Sequence, residues 1–272
     1  MAQKKIGIYG NLESTANNKV EDLYLIVDGQ SIVFSVKNNI SQEYVSFEYF
    51  LNTGDNQGWS QLMAYLQNNS KLMHAFYKNI NFIINTPRIV LSNINSNLDV
   101  LQYQNELNLV HGVKSEEEIY TNEIGLGSII VYGVPDALST LLTRAFPTGK
   151  WNHYASYLMN NFRDNGVYIQ LFDNNFCLYI VEAGKVKILN YFPIEGNDQN
   201  SFMVLNACVN TDTNTNSIPL IVYGYNPEQH EFIKMIAPYF ESLQLEKAPA
   251  EGIGSKLNLD YPNHTYSTYF IF

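Results

Sequence analysis

The residues with the most chemical promise sit at turns. Asp28-Gly29-Gln30 joins an apolar run to an alternating one, and a carboxylate beside exposed backbone N–H groups at a hairpin tip can hold a metal-bound phosphate. The same Asp-Gly pair is the common recipe for a two-residue hairpin turn, in which glycine supplies a positive φ. Asp173-Asn174-Asn175 stands at the matching place in the second half and carries the same two readings. Other spacings fail on detail. Gly149-Lys150 ends like a P-loop, but Trp151 stands where Ser or Thr binds magnesium, and Arg144 stands where the leading Gly belongs. Gly125 and Gly127 form a GxG that leads into a strand pattern, not a helix N-terminus, so no phosphate cradle follows. Asp212, Asn214 and Asn216 have calcium-loop spacing, yet Ser217 replaces the turn glycine and Tyr223 the closing Glu. His74, His111, His153, His230 and His264 show no metal-ligand spacing, and no Ser occupies a GxSxG elbow. His153, after the Pro147–Gly149 break, reads as a surface or capping histidine.

Composition narrows the classes. The chain has 272 residues, 46% apolar and 14% aromatic, enough to fill sizeable cores. Its 16 Lys and Arg are scattered against 26 acids, a net charge of −10, so there is no basic footprint for nucleic acid or anionic lipid. No apolar run reaches the roughly 18 residues of a membrane helix and the N-terminal lysines precede no leader-like apolar stretch, so the expectation is a cytoplasmic protein without membrane insertion. Cys177 and Cys208 read as small buried hydrophobes.

The elements that would position these turns repeat. Leu23–Val36 has the period of two of a β-hairpin, and Tyr44–Leu51 adds a third strand. Before it, residues 1–21 read as a lead-in with one short edge strand at Ile6–Tyr9. Trp59–Tyr77 has helical spacing, Asn79–Thr86 is a strand closed by Pro87, and Leu98–Leu109 is a short helix. Lys114–Asn122 reads as an acidic loop, GLGSIIVYGVP as a buried strand, and Pro135-Asp136 as the first turn of a helix. Trp151–Phe162 again has helical spacing. The second half restarts with strands in VYIQLFDNN, FCLYIVEAGK and VKILNYFP, then a helix at Ser201–Asn210, a strand at Pro219–Tyr225 and a helix at Pro227–Phe240. LQLEKAP supplies an edge strand or tail, and the closing TYSTYFIF a final core strand. Meander, helix, strand, helix thus occurs twice. The pattern predicts an α/β (mixed α+β) protein of two similar lobes, 1–150 and 151–272, with a cleft between them.

The stretches LYLIVDGQSIVFSV, TPRIVLSN, VYGVPDALSTLLTRAFPTGKWNHYASYL and NYFPIEGNDQNSFMVLNACV resemble a family of bacterial proteins of unknown function with the fold of the actin-like ATPases. The resemblance covers most of the chain and implies a duplicated, ribonuclease-H-like fold. ATP-binding members of that superfamily use an Asp-x-Gly turn in each lobe and a Gly-Gly pair after a late strand. Here the first turn is Asp28-Gly29 without the spacer, the second, at Asp173, lacks the glycine, and the late strand ends Gly224-Tyr225. These departures point to a non-catalytic binding or assembly module that uses no cofactor and has a protein partner or self-associates. The alternative is a kinase or ATPase holding ATP and magnesium through Asp28, Gly29, Asp173 and Gly224.

Overall fold

Alternating apolar residues from Leu23 to Val36 bury on both faces of a sheet, and the architecture grows outward from that hairpin. The structure, a computed structural model, describes residues 2–29, 31–52, 58–93, 100–124, 128–161, 164–172, 174–224, 230–247, 253 and 266–272. The chain divides into two compact units, Met1–Asn160 and Asn161–Phe272.

In chain order the first unit runs β1 (Ala2–Tyr9), β2 (Glu21–Asp28), β3 (Ser31–Asn38), β4 (Tyr44–Asn52), α1 (Trp59–Asn69), β5 (Asn79–Asn85), β6 (Ile89–Asn93), α2 (Val100–His111), β7 (Glu117–Glu123), β8 (Ser128–Pro135), α3 (Asp136–Ala145), β9 (Lys150–His153) and α4 (Tyr154–Asn161). Six strands form one sheet in the order β1-β4-β3-β2-β5-β9. The meander β2-β3-β4 is antiparallel, and β5 and β9 continue it in parallel. Trp151 therefore lies on a strand and not in the expected helix, because β9 pairs Trp151 with Phe82. The same pairing places Lys150–His153 with the first compact unit.

Three further local differences have side-chain causes. The first strand covers Ala2–Tyr9 rather than Ile6–Tyr9, since it pairs along β4 and is tied down by buried Glu48. Lys4, Tyr9, Ser70 and the Lys71 N–H all donate to the Glu48 carboxylate. The helix expected to reach Tyr77 stops at Asn69: the Ser70 N–H closes the last turn on Leu66 O, and Ser70 Oγ accepts the Leu72 and Met73 N–H groups. The acidic run expected to be a solvated loop is strand β7. Its alternate residues face opposite sides, so Glu117 is buried while its neighbours are not.

The second unit runs β10 (Gly166–Leu171), β11 (Asn175–Glu182), β12 (Lys185–Pro193), α5 (Asn197–Asn210), β13 (Leu220–Gly224), α6 (Glu231–Ile236) and β14 (Leu243–Leu245), with a 3-10 turn at Ser267–Tyr269. Its sheet order is β12-β11-β10-β13-β14, an antiparallel meander followed by two parallel strands. That repeats β4-β3-β2-β5-β9 strand for strand. Phe176 and Phe232, with ring centroids 5.3 Å apart, lie in the core cluster that α5 and α6 cover. The closing segment is buried, as expected of core, but as a turn instead of a strand. Ser267 and Thr268 bond through their side chains to Gly224 and Gln170 in place of a ladder.

The first unit adds β1 at the edge of its sheet and one insertion. Between β5 and α3 the first unit carries β6, α2, β7 and β8, which form a separate three-stranded sheet in the order β6-β8-β7. Arg88, at its entrance, bonds Glu117 Oε1 and Oε2, Gly112 O and Asn108 Oδ1, fastening α2 to β7.

Candidate functional site

Open sheets of this kind present their polar turn residues at the C-terminal ends of the parallel strands. In the first unit those ends are Asp28 on β2, Asn85 on β5 and His153 on β9. Asp28 pairs with Asn85 across the parallel ladder and with Ser31 across the hairpin. Asn85 Nδ2 donates to Asp28 Oδ1 at 2.9 Å, and Ser31 Oγ donates to the Asp28 carbonyl at 3.2 Å. Asp28 is 2% exposed and Asn85 4%, so the carboxylate is held inside the sheet end. Gly29 is exposed, with φ +50°, the left-handed conformation a two-residue hairpin needs at its first position; Gln30 lies outside the described residues.

His153 is fully buried, and not on the surface. Its Nε2 meets the Thr86 carbonyl at 3.0 Å, and its Nδ1 accepts the Ala155 N–H at 3.1 Å, capping α4. Burial holds the imidazole far below its ordinary pKa, at about 3, against a smaller upward pull from the Thr86 carbonyl. It is a neutral capping group. β5 separates it from Asp28, so the two stand two strand spacings apart, about 9–10 Å, too far to exchange a proton directly.

The second unit shows what replaces Asp28 there. Leu171 pairs with Phe176, and the Phe172 N–H donates to Asn175 O at 2.9 Å. Phe172 thus faces Asn175 as Asp28 faces Ser31, and this fully buried ring occupies the place of the carboxylate. Asp173 itself lies outside the described residues, as does Tyr225. Gly224 has φ +117°, and a Cβ there would stand 2.2 Å from the Leu171 carbonyl oxygen. Its N–H donates to Ser267 Oγ at 2.9 Å. The neighbouring strand is therefore sufficient to require glycine. Gly224→Ala is expected to lose about 1–3 kcal/mol through strain alone, read by urea unfolding; an unchanged midpoint would contradict this packing.

Asn85, Phe172 and Ser267 were not singled out by sequence. The signal for Phe172 was available in the two-residue loop length, which fixes register once the hairpin is recognised. Ser267 had no local signal, being 43 residues from its partner. The cysteines are buried as expected, and burial pushes Cys177 up to about 12 and Cys208 up to about 11, which keeps both as inert thiols. Among the described residues no group of three His, Cys, Asp or Glu could hold a metal ion, and no helix is long and apolar enough to cross a membrane.

Two units, each a three-strand meander continued by two parallel strands, define an actin-like ATPase fold. The chain belongs to the family described as "Protein of unknown function (DUF3822)", which matches residues 11–243. Among solved structures it is similar to a Bacteroides thetaiotaomicron VPI-5482 protein with actin-like ATPase fold and unknown function. That similarity has a TM-score of 0.74 at 16% identity over 90% of this chain and 97% of that one. The ethanolamine utilization protein EutJ from Carboxydothermus hydrogenoformans shares the fold at a TM-score of 0.51 and 9% identity, over 97% of this chain and 92% of that one. No curated protein matches the chain.

Proposed function

We propose that this chain is a non-catalytic member of the actin-like fold, a binding or assembly module that uses no nucleotide. The observation that carries the reading is the Phe172 ring in the second unit at the position Asp28 holds in the first. A phosphate-binding turn needs donors or a metal-holding carboxylate, and a buried phenyl ring offers neither. Two of the remaining polar groups are engaged within the protein. Asp28 is held by Asn85, and the Gly224 N–H by Ser267. These residues do not fit ATP and magnesium, so no step is assigned to them.

The test is a thermal shift of the full chain with magnesium-ATP and magnesium-ADP. A ligand at a hundredfold excess over its dissociation constant would stabilise the folded state by about 2.7 kcal/mol, a shift of roughly 5–10 °C for a chain of this size. The expected result is no shift. A shift that disappears in Asp28→Ala would overturn the reading in favour of an ATPase or kinase.

A further inference from the structure

We infer that the free edge of β6 is a self-association surface, on which a second copy of this chain pairs antiparallel to extend the three-stranded sheet across a two-fold axis. This rests on the reading of the chain as a binding or assembly module and names its partner and its surface.

The backbone geometry identifies the open groups. The Gly133 N–H donates to Arg88 O, so Arg88 and Gly133 are a hydrogen-bonded pair of the β6–β8 ladder, and such pairs recur every second residue. Val90 and Ser92 therefore bond toward β8, opposite Val131 and Ile129. Ile89, Leu91 and Asn93 direct their N–H and C=O groups outward. Ile89 is already satisfied, its N–H by Pro87 O and its carbonyl by His111 Nε2. Among the described residues, that leaves the outward backbone groups of Leu91 and Asn93 for another strand.

The side chains favour the same use. Every other sheet edge among the described residues is charged or short. β1 carries Lys4 and Lys5, β12 carries Lys185 and Lys187, β7 carries Glu118 and Glu123, β9 carries Lys150, and β14 has three residues. Charged and short edges are the usual protection against strand addition. β6, reading Ile-Val-Leu-Ser-Asn, has none of it. Beside it, a groove of about 390 Å³ runs between β6 and α2. Leu91 is 49%, Leu109 88% and Val110 64% exposed, and all three line this groove, which places apolar surface of α2 next to the open edge.

Charge selects the occupant. The chain carries −10, so two copies meeting across most of their surface bring like charges together. The β6 edge is uncharged, and among the described residues that line the groove Glu106 alone is charged. A second copy can approach there without that repulsion, whereas a basic partner would be drawn to the acidic surface elsewhere.

Sedimentation velocity of the full chain over a range of concentrations tests this, with Leu91→Lys and Leu109→Lys as variants and circular dichroism as the folding control. Leu109 is almost fully exposed, so its replacement leaves the fold intact. The expected result is a concentration-dependent dimer whose dissociation constant rises by at least about tenfold in each variant. In a pair centred on Ser92, the two Ser92 Cα atoms form a non-hydrogen-bonded pair about 4.5 Å apart, within disulfide range. Ser92→Cys should then cross-link to a dimer on mild oxidation, since Cys177 and Cys208 are buried. A monomer at every concentration, or a dimer unaffected by both lysine variants, would overturn the inference. Neither outcome bears on nucleotide binding, and a nucleotide-dependent thermal shift would remove the proposed function without touching the dimer.

Discussion

Arg88→Ala is expected to cost about 3–5 kcal/mol, the effect of leaving a buried carboxylate without its cation. The Glu117 side chain is 1% exposed and Arg88 10%, and the guanidinium makes two-pronged contact with both carboxylate oxygens. Its remaining donors reach Gly112 O at 2.9 Å and Asn108 Oδ1 at 2.8 Å, so the loss also frees the end of α2. Urea unfolding followed by circular dichroism reads the cost. The comparison that isolates the mechanism is the double replacement Arg88→Met with Glu117→Leu, which removes both charges together. It should recover much of the stability, because an apolar pair avoids the desolvation that the ion pair must offset. A cost below about 1 kcal/mol in the single variant would mean that the pair behaves as a solvated surface bridge.

The same residues show why the sequence revealed the scaffold better than its polar interior. Periodicity of two in Leu23–Val36 and in Val167–Pro193 is a local property, and it identified both meanders and the duplication. Periodicity could not identify Glu117, since a run of three acids is usually solvated and only the partner 29 positions away, Arg88, makes burial of the middle one possible. Trp151 misled for a related reason. Trp151, Tyr154, Tyr157 and Leu158 share helical spacing, but β9 is four residues long and its strand character comes from pairing with β5, a tertiary effect. β1 is similar: its first half, Ala2 to Lys5, has no apolar signature, and the Glu48 network that fastens it is assembled from three separate stretches of chain.

At the candidate site the turn chemistry was legible and its register was not. Asp28-Gly29 announces a hairpin from sequence, and the structure places it as one. Aligning the two halves by their aspartates set Asp173 beside Asp28. Hydrogen bonding aligns them by their loops, which puts Phe172 there. A shift of one residue exchanges the two faces of a strand, so this is the difference between a carboxylate and an aromatic ring at the strand end.

His153 should make the stability of the protein fall in acid more steeply than its carboxylates alone would. Burial is the main cause of its depressed pKa, about 3 against 6.5 for a free imidazole. The side chain lies against Tyr132, with ring centroids 5.1 Å apart, and between the Thr86 carbonyl and the Ala155 N–H. Protonation would put a charge in that apolar setting and turn Nδ1 from acceptor to donor, facing an N–H. Because the folded-state pKa lies below the unfolded one, the unfolded chain binds the proton first. The contribution of His153 is therefore complete above about pH 6.5 and declines by about 1.4 kcal/mol per pH unit as the pH falls toward 3. His153→Gln can still donate to Thr86 O or accept from Ala155, but it does not titrate. Unfolding midpoints of both proteins between pH 7.5 and about 4.5 should start with the variant less stable and converge or cross as the pH drops. Parallel curves would show that His153 carries its proton equally well in the folded chain, which is incompatible with its capping of α4 as a neutral acceptor.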